Sequence, residues 1–193
     1  MRTLIIYAHP PSKPTGNCFE ILNTLKTELD DKSIDYNLID LYKDKFDPCL
    51  QADEHYVSGN CNISSKIKNY QKKIEQANHL IFIFPIWWAG MPAILKGFFE
   101  KVLTPGFGYK YEGNIPRKLF KDKKALVFMT AGGPAMYVKV VQGNRPEKNI
   151  KNDILGFLGI KTKTCLLSNT AKVDDRARDR IKKLVKKELD DFC

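Results

Sequence analysis

Three short runs restrict the fold more than any other feature of the chain: TLIIYA at 3–8, HLIFIF at 79–84 and KALVFM at 124–129. Each is almost continuously apolar and too short for a helix, and so predicts a strand buried on both faces. Such strands belong to parallel sheets covered on two sides. IDYNLIDL at 34–41 alternates in part and reads as another strand, and TKTCLLS at 162–168 supplies a fifth.

Helical periodicity fills the gaps. Cys18, Ile21, Leu22, Leu25 and Leu29 form an apolar stripe, and a second helix is expected at 66–76. Pro92 suits the first turn of a third, carrying Ile94, Leu95, Phe98, Phe99, Val102 and Leu103. A fourth is expected near 147–158, and a charged amphipathic helix closes the chain. The stretches 42–65 and 104–121 read as loops, the first with turn signals at Asp47-Pro48 and Ser58-Gly59-Asn60. Five strands alternating with five helices predict an α/β fold with right-handed crossovers. No repeat, linker or composition break divides residues 1–193, so a single domain is expected.

The totals exclude several classes. The 193 residues are 43% hydrophobic and 28% charged, as in a globular protein. No apolar stretch is long enough for a membrane span, and MRTLIIYAHPP is not a secretory signal, so a cytoplasmic protein is expected. Cys18, Cys49, Cys61, Cys165 and Cys193 are scattered without a C-x-x-C pair, which favours reduced thiols and predicts no metal site. The net charge of +10 is mixed with acids in runs such as VDDRARDRIKKLVKKELDD. With no recognition module in view, it reads as solvated helix faces with some attraction for phosphate-bearing ligands, and no nucleic-acid partner is expected.

In a sheet of this kind ligands bind off the carboxyl ends of the strands, where the strand order reverses. The candidate loops are therefore 9–18, 85–91 and 130–145. Thr15, Gly16 and Asn17 place a hydroxyl, a small residue and an amide at a helix N-terminus, where backbone N–H groups favour an anion; Asn17 can equally serve as a plain cap. Trp87 and Trp88 offer flat apolar area, and Gly90 permits close backbone approach, although either Trp can also be a core or interface anchor. Adjacent residues leaving a strand point in opposite directions, so one Trp is expected to face a ligand. Thr130, Gly132 and Gly133 again offer a hydroxyl and open backbone, or a tight turn.

Taken in order, His9 with Asn17, then PIWWAGMPAILKGFFEKVL, then TAGGPAMY resemble the flavodoxin-like NAD(P)H:quinone oxidoreductases of the DT-diaphorase type. The resemblance implies a three-layer sandwich with a five-stranded parallel sheet of order 2-1-3-4-5 and helices on both faces. It implies a flavin phosphate at Thr15, Gly16 and Asn17 with His9 alongside. It puts the isoalloxazine against Pro85, Ile86, Trp87 and Trp88, and its ring edge at Thr130, Ala131, Gly132, Gly133 and Tyr137. Tyr109 and Tyr111 match a segment that reaches the active site, often that of the partner in a homodimer.

Two departures bear on the chemistry. The family's histidine after the tyrosine is missing, since no histidine follows His79; its part falls to Tyr137, to Asn144 or Arg145, or to solvent, with Tyr137 the first candidate catalytic group. An acidic residue before the tyrosine segment appears as Gly106, which favours FMN over FAD. The implied activity is ping-pong transfer of hydride from NAD(P)H through flavin to quinones. An azo- or nitroreductase in the same slot, or a flavin-bearing ancillary subunit of a transporter, are the alternatives.

Overall fold

The long apolar runs become the centre of one sheet. In the computed structural model, which describes residues 2–11, 16–55, 63–169 and 174–192, strands β1 (Thr3–Tyr7), β2 (Tyr36–Asp40), β3 (His79–Pro85), β6 (Lys124–Thr130) and β7 (Lys161–Leu167) pair in parallel. Their spatial order is β2-β1-β3-β6-β7, the expected order with two extra strands counted along the chain. Thr15, the Ser58-Gly59-Asn60 turn, Cys61 and Cys193 lie outside the described residues.

In-register parallel pairing aligns side chains across the sheet. Leu4, Leu80 and Ala125 share one face, and Ile5, Ile81 and Leu126 share the other. The first face is covered by α2 (Ser65–Gln76), α3 (Ala93–Val102) and the helical stretch 145–158; the second by α1 (Asn17–Asp31) and α6 (Asp175–Asp190). The α1 stripe read from periodicity is buried at every position. Each large side chain removed from water contributes roughly 1.5–3 kcal/mol before the entropy of ordering is charged against it.

Polar anchors fix the polar stretches between these elements. Residues 46–54 lie on α3, where Pro48 sits so close over Gly97 that a Cβ there would fall 2.3 Å from the Pro48 carbonyl oxygen. The buried Lys101 Nζ donates to the Cys49 carbonyl at 3.0 Å and pairs with Glu54 at 2.9 Å. Lys123 Nζ donates to the Ala77 and Glu75 carbonyls at 2.6 and 3.0 Å, placing a cation on the carboxyl end of α2.

Three departures from the expected elements matter. The stretch read as a loop at 104–121 contains an antiparallel hairpin, β4 (Tyr109–Glu112) and β5 (Ile115–Lys118), turning at Gly113-Asn114. The helix expected near 147–158 starts earlier, as α4 (Arg145–Lys148), widens to a π-helical stretch at Asn149–Leu155 and ends as α5 (Gly156–Leu158). A second π-helical turn, Tyr137–Val141, lies inside the loop expected after β6. No helix among the described residues is long and apolar enough to cross a membrane.

Candidate functional site

Strand order reverses between β1 and β3, because β1 leads outward to β2 while β3 lies on its other side. The carboxyl ends of β1, β3 and β6 are neighbours there, so the three candidate loops leave from one edge. Two hydrogen bonds bind those strand ends together: Ala8 N–H donates to Ile83 O at 3.0 Å, and Ile86 N–H donates to Thr130 O at 2.7 Å.

The first loop begins at His9, whose ring centroid lies 6.4 Å from that of Tyr7 and 6.3 Å from that of Trp87. Its Nδ1 is 2.8 Å from the Pro10 carbonyl oxygen. Gly16, not Asn17, occupies the cap position of α1, in extended backbone and with no side-chain oxygen to offer the first turn. Asn17 is the first helical residue and is buried. Cys18 behind it places Sγ 3.3 Å from Thr130 Oγ1. Burial pushes its thiol up to about 12, the Thr130 contact offsetting only part of that, so the sulfur is neutral at ordinary pH. Burial, with Cys18 and Asp40 nearby, likewise raises the Tyr7 phenol.

The second loop is a reciprocally bonded turn. Trp87 N–H donates to Gly90 O at 3.0 Å and Gly90 N–H to Trp87 O at 2.9 Å. Trp88 and Ala89 between them have φ of 50° and 56°, the left-handed pair of a type I′ turn that Asn-Gly ordinarily supplies. Holding two side-chain-bearing residues there costs roughly 1–3 kcal/mol each. Close approach was expected at Gly90, but its N–H is spent in the turn and a Cβ on it would make only an ordinary contact, 3.7 Å from Trp87 O. Between the two bonded ends, the amides of Trp88 and Ala89 have no hydrogen-bond acceptor among the described residues. Ala89 carried no signal in the sequence. The two tryptophans differ in setting: Trp87 is 41% exposed and leans toward His9, while Trp88 is fully exposed.

The third loop follows Thr130, which is buried with its hydroxyl against Cys18 rather than turned to the edge. Ala131 is buried and its N–H donates to Leu167 O at 2.8 Å. Gly132 and Gly133 are exposed, and a Cβ on either would meet nothing within 4 Å. Gly133 O accepts from Asn169 N–H at 3.1 Å, while the Gly132 and Gly133 amides have no acceptor among the described residues. Tyr137 is half exposed at the start of its π-helical turn, and its hydroxyl has no hydrogen-bond partner among the described residues.

Pro85 ends β3 fully buried and Ile86 is half-buried against the core, so both support the loop. Tyr109 and Tyr111 do not join this edge within the chain. Helix α3 runs away from it, and the hairpin packs at the other end: Tyr109 lies edge-on to Phe157 at 5.0 Å, and Phe120 N–H donates to Leu158 O. Among the described residues no three His, Cys, Asp or Glu side chains gather as a metal set.

Two features together define the edge. One is a helix N-terminus opened by glycine. The other is a pair of loops, joined by the Ile86–Thr130 hydrogen bond, that present unpaired backbone amides beside indole and phenol rings. A planar, electron-rich or anionic ring bearing a phosphate tail fits that donor set.

The chain is similar to several known proteins. An NAD(P)H dehydrogenase [quinone] 1 of Cavia porcellus is 35% identical over 162 residues, covering 74% of this chain and 58% of that protein, so the chain spans rather more than half of its length. An uncharacterized NAD(P)H oxidoreductase of Haemophilus influenzae is 31% identical over 181 residues, covering 92% of this chain and 89% of that one. The solved NAD(P)H:quinone oxidoreductase of Methanothermobacter marburgensis superposes with a TM-score of 0.85 at 26% identity, over 97% of this chain and 96% of that chain. The family model described as flavodoxin-like fold matches residues 1–189, and the chain belongs to that family.

Proposed function

We propose that the chain is an FMN-dependent NAD(P)H oxidoreductase that reduces quinones, with donor and acceptor occupying one slot in turn. The observation that carries this reading is the joined pair of loops. Trp88 and Ala89 in left-handed backbone, and Gly132 and Gly133 with nothing within 4 Å of their Cβ positions, offer from neighbouring strand ends amides that have no acceptor among the described residues. When bound, the flavin supplies reversible two-electron hydride chemistry. The protein's part is electrostatic and geometric: these amides would stabilise negative charge on the reduced ring, and Trp87 would hold its plane. The first turn of α1 behind Gly16 would take the phosphate. Tyr137 would donate a hydrogen bond to an acceptor oxygen as charge develops there.

The apolar surface around the edge supports a homodimer with the site at the interface. Trp88, Met136, Val140 and Val141 are mostly or fully exposed on the second and third loops, a concentration that isolated monomers avoid. The hairpin bearing Tyr109 and Tyr111 reaches an active site in this arrangement only from a second copy. Buried, unpaired Cys18 and Cys165 accord with a reducing, cytoplasmic setting.

Reconstitution tests the reading: the purified protein should turn yellow with FMN, oxidise NADH or NADPH with a quinone, and sediment as a dimer. Trp87→Ala and Gly133→Val should each cut flavin content and turnover. A folded protein that refuses both FMN and FAD refutes the reading.

A further inference from the structure

The segment that carries Tyr137 is held by a carboxylate outside the three loops. Glu147, the third residue of α4, accepts from Asn144 Nδ2 at 2.6 Å on one oxygen and from Thr164 Oγ1 at 2.9 Å on the other. Thr164 is in β7, in register with Val127 of β6, so one side chain joins the sheet to the turn before α4. Burial works against the Glu147 charge, but the Asn144 and Thr164 hydrogen bonds, with Lys151 and Lys139 nearby, hold its carboxyl below the usual range. Both acceptor oxygens are therefore available at neutral pH.

What this carboxylate holds is an unusual piece of backbone. Gly143 and Asn144 follow one another in the left-handed region, with φ of 60° and 55°. Asn144 N–H donates back to Val138 O at 3.0 Å, and Gln142 N–H to Tyr137 O at 2.9 Å. The π-helical turn and the left-handed pair are thus one closed unit. Its apolar side chains give it little grip, because Val138 is buried while Met136, Tyr137, Val140 and Val141 are exposed. A unit with so little buried surface takes its placement from polar tethers, and Glu147 to Thr164 is the side-chain tether that reaches the sheet.

We propose that Glu147 is a positioning residue for the acceptor slot: through Asn144 it sets where Tyr137 stands, with Thr164 as the fixed point on the sheet. The role rests on the flavin reading above, since that reading gives Tyr137 something to face. Glu147 touches neither flavin nor acceptor, so its effect should fall on the acceptor and spare the flavin.

The experiment compares the wild-type protein with Glu147→Ala, Glu147→Gln and Thr164→Val. FMN affinity is measured by fluorescence quenching, kcat and KM with NADH and a naphthoquinone, and unfolding by heat. A fluorotyrosine label at Tyr137 is followed by ¹⁹F NMR in flavin-free protein. In Glu147→Ala, kcat/KM for the quinone should fall on the order of tenfold to a hundredfold, the cost of a misplaced group. FMN affinity should stay within about twofold of wild type, as for independent sites. Thr164→Val, which keeps only the Asn144 hydrogen bond, should fall between, and Glu147→Gln, whose amide can accept from Asn144 and donate to the Thr164 hydroxyl, should lie nearer to wild type. The Tyr137 fluorine line should broaden or split in Glu147→Ala. Unchanged quinone kinetics and an unchanged fluorine line overturn the proposal, whatever the melting point, as does a loss of FMN affinity equal to the loss of turnover. A Glu147→Ala protein that does not fold leaves Thr164→Val to decide by the same readouts. A wild type that takes no flavin refutes the functional reading instead, and the fluorine line still decides whether Glu147 places Tyr137.

Discussion

Cys18 Sγ stands 3.3 Å from Thr130 Oγ1, tying the first turn of α1 to the last residue of β6 beneath the candidate loops. The thiol is neutral because burial pushes it up to about 12. Cys165 is raised to about 12 as well, by burial first and then by Glu188. Native alkylation followed by peptide mapping should label the exposed Cys49 and spare Cys18 and Cys165 until the protein is unfolded. Rapid native labelling of Cys18 would show that the edge opens far more than this packing allows.

The Trp88-Ala89 turn predicts a trade between stability and binding. Ala89→Gly removes the steric cost of a left-handed alanine and should stabilise the fold by about 1 kcal/mol. That corresponds to a rise of about 2–4 °C in Tm for a chain of this size. FMN affinity should fall in the same variant, since the turn becomes free to leave the conformation that aims its amides. Calorimetry with a parallel FMN titration reads both, and a gain in the two together would count against the turn as a ligand-facing device.

Glycines at the edge and in the core should respond in opposite ways. A Cβ at Gly133 meets nothing within 4 Å, so in Gly133→Val Tm should change little while FMN affinity drops by about tenfold or more. Gly97→Ala drives a Cβ to 2.3 Å from Pro48 O and should cost about 1–3 kcal/mol of stability by overpacking. Thermal melts with and without FMN separate the two. The assignment of Gly133 fails if its variant melts early and binds normally.

The pH dependence of stability should carry a signature of His79. Its ring is buried edge-on to Phe192 at 4.9 Å, and its Nδ1 has no hydrogen-bond partner among the described residues. Burial first, then Lys124, hold it below the ordinary value of 6.5. The unfolded chain therefore takes up a proton before the folded one does. Its stabilising contribution is complete above pH 6.5 and is lost as pH falls from there toward the folded value. Urea unfolding at about pH 7.5 and about pH 5.5 should show a drop that His79→Gln flattens. An equal drop in the variant would assign the effect to other groups.

The sheet was legible because runs such as HLIFIF have one physical solution, burial between two helical layers. The hairpin was not: apart from Tyr109, every residue of β4 and β5 is exposed, so no alternation of apolar side chains announced it. The edge of the site could be read from where strands end. Its working backbone could not, because Trp and Ala have no bias toward positive φ and only the closed Trp87–Gly90 turn imposes it. Gly90 looked like the permissive residue, yet its own amide closes the turn by donating to Trp87 O. Glu147 and Thr164 meet across 17 positions with no repeat or spacing to suggest it.

The strand order β2-β1-β3-β6-β7 also has a bearing on biogenesis. Its three candidate loops leave strands that end at Tyr7, Pro85 and Thr130, so a growing chain does not possess the whole donor set until β6 has been made. Parallel neighbours joined by long crossovers come together late, when non-local pairing is complete. Appearance of bound chromophore during synthesis or refolding would therefore time-stamp the closing of β6 onto β3, making the cofactor a built-in clock for assembly.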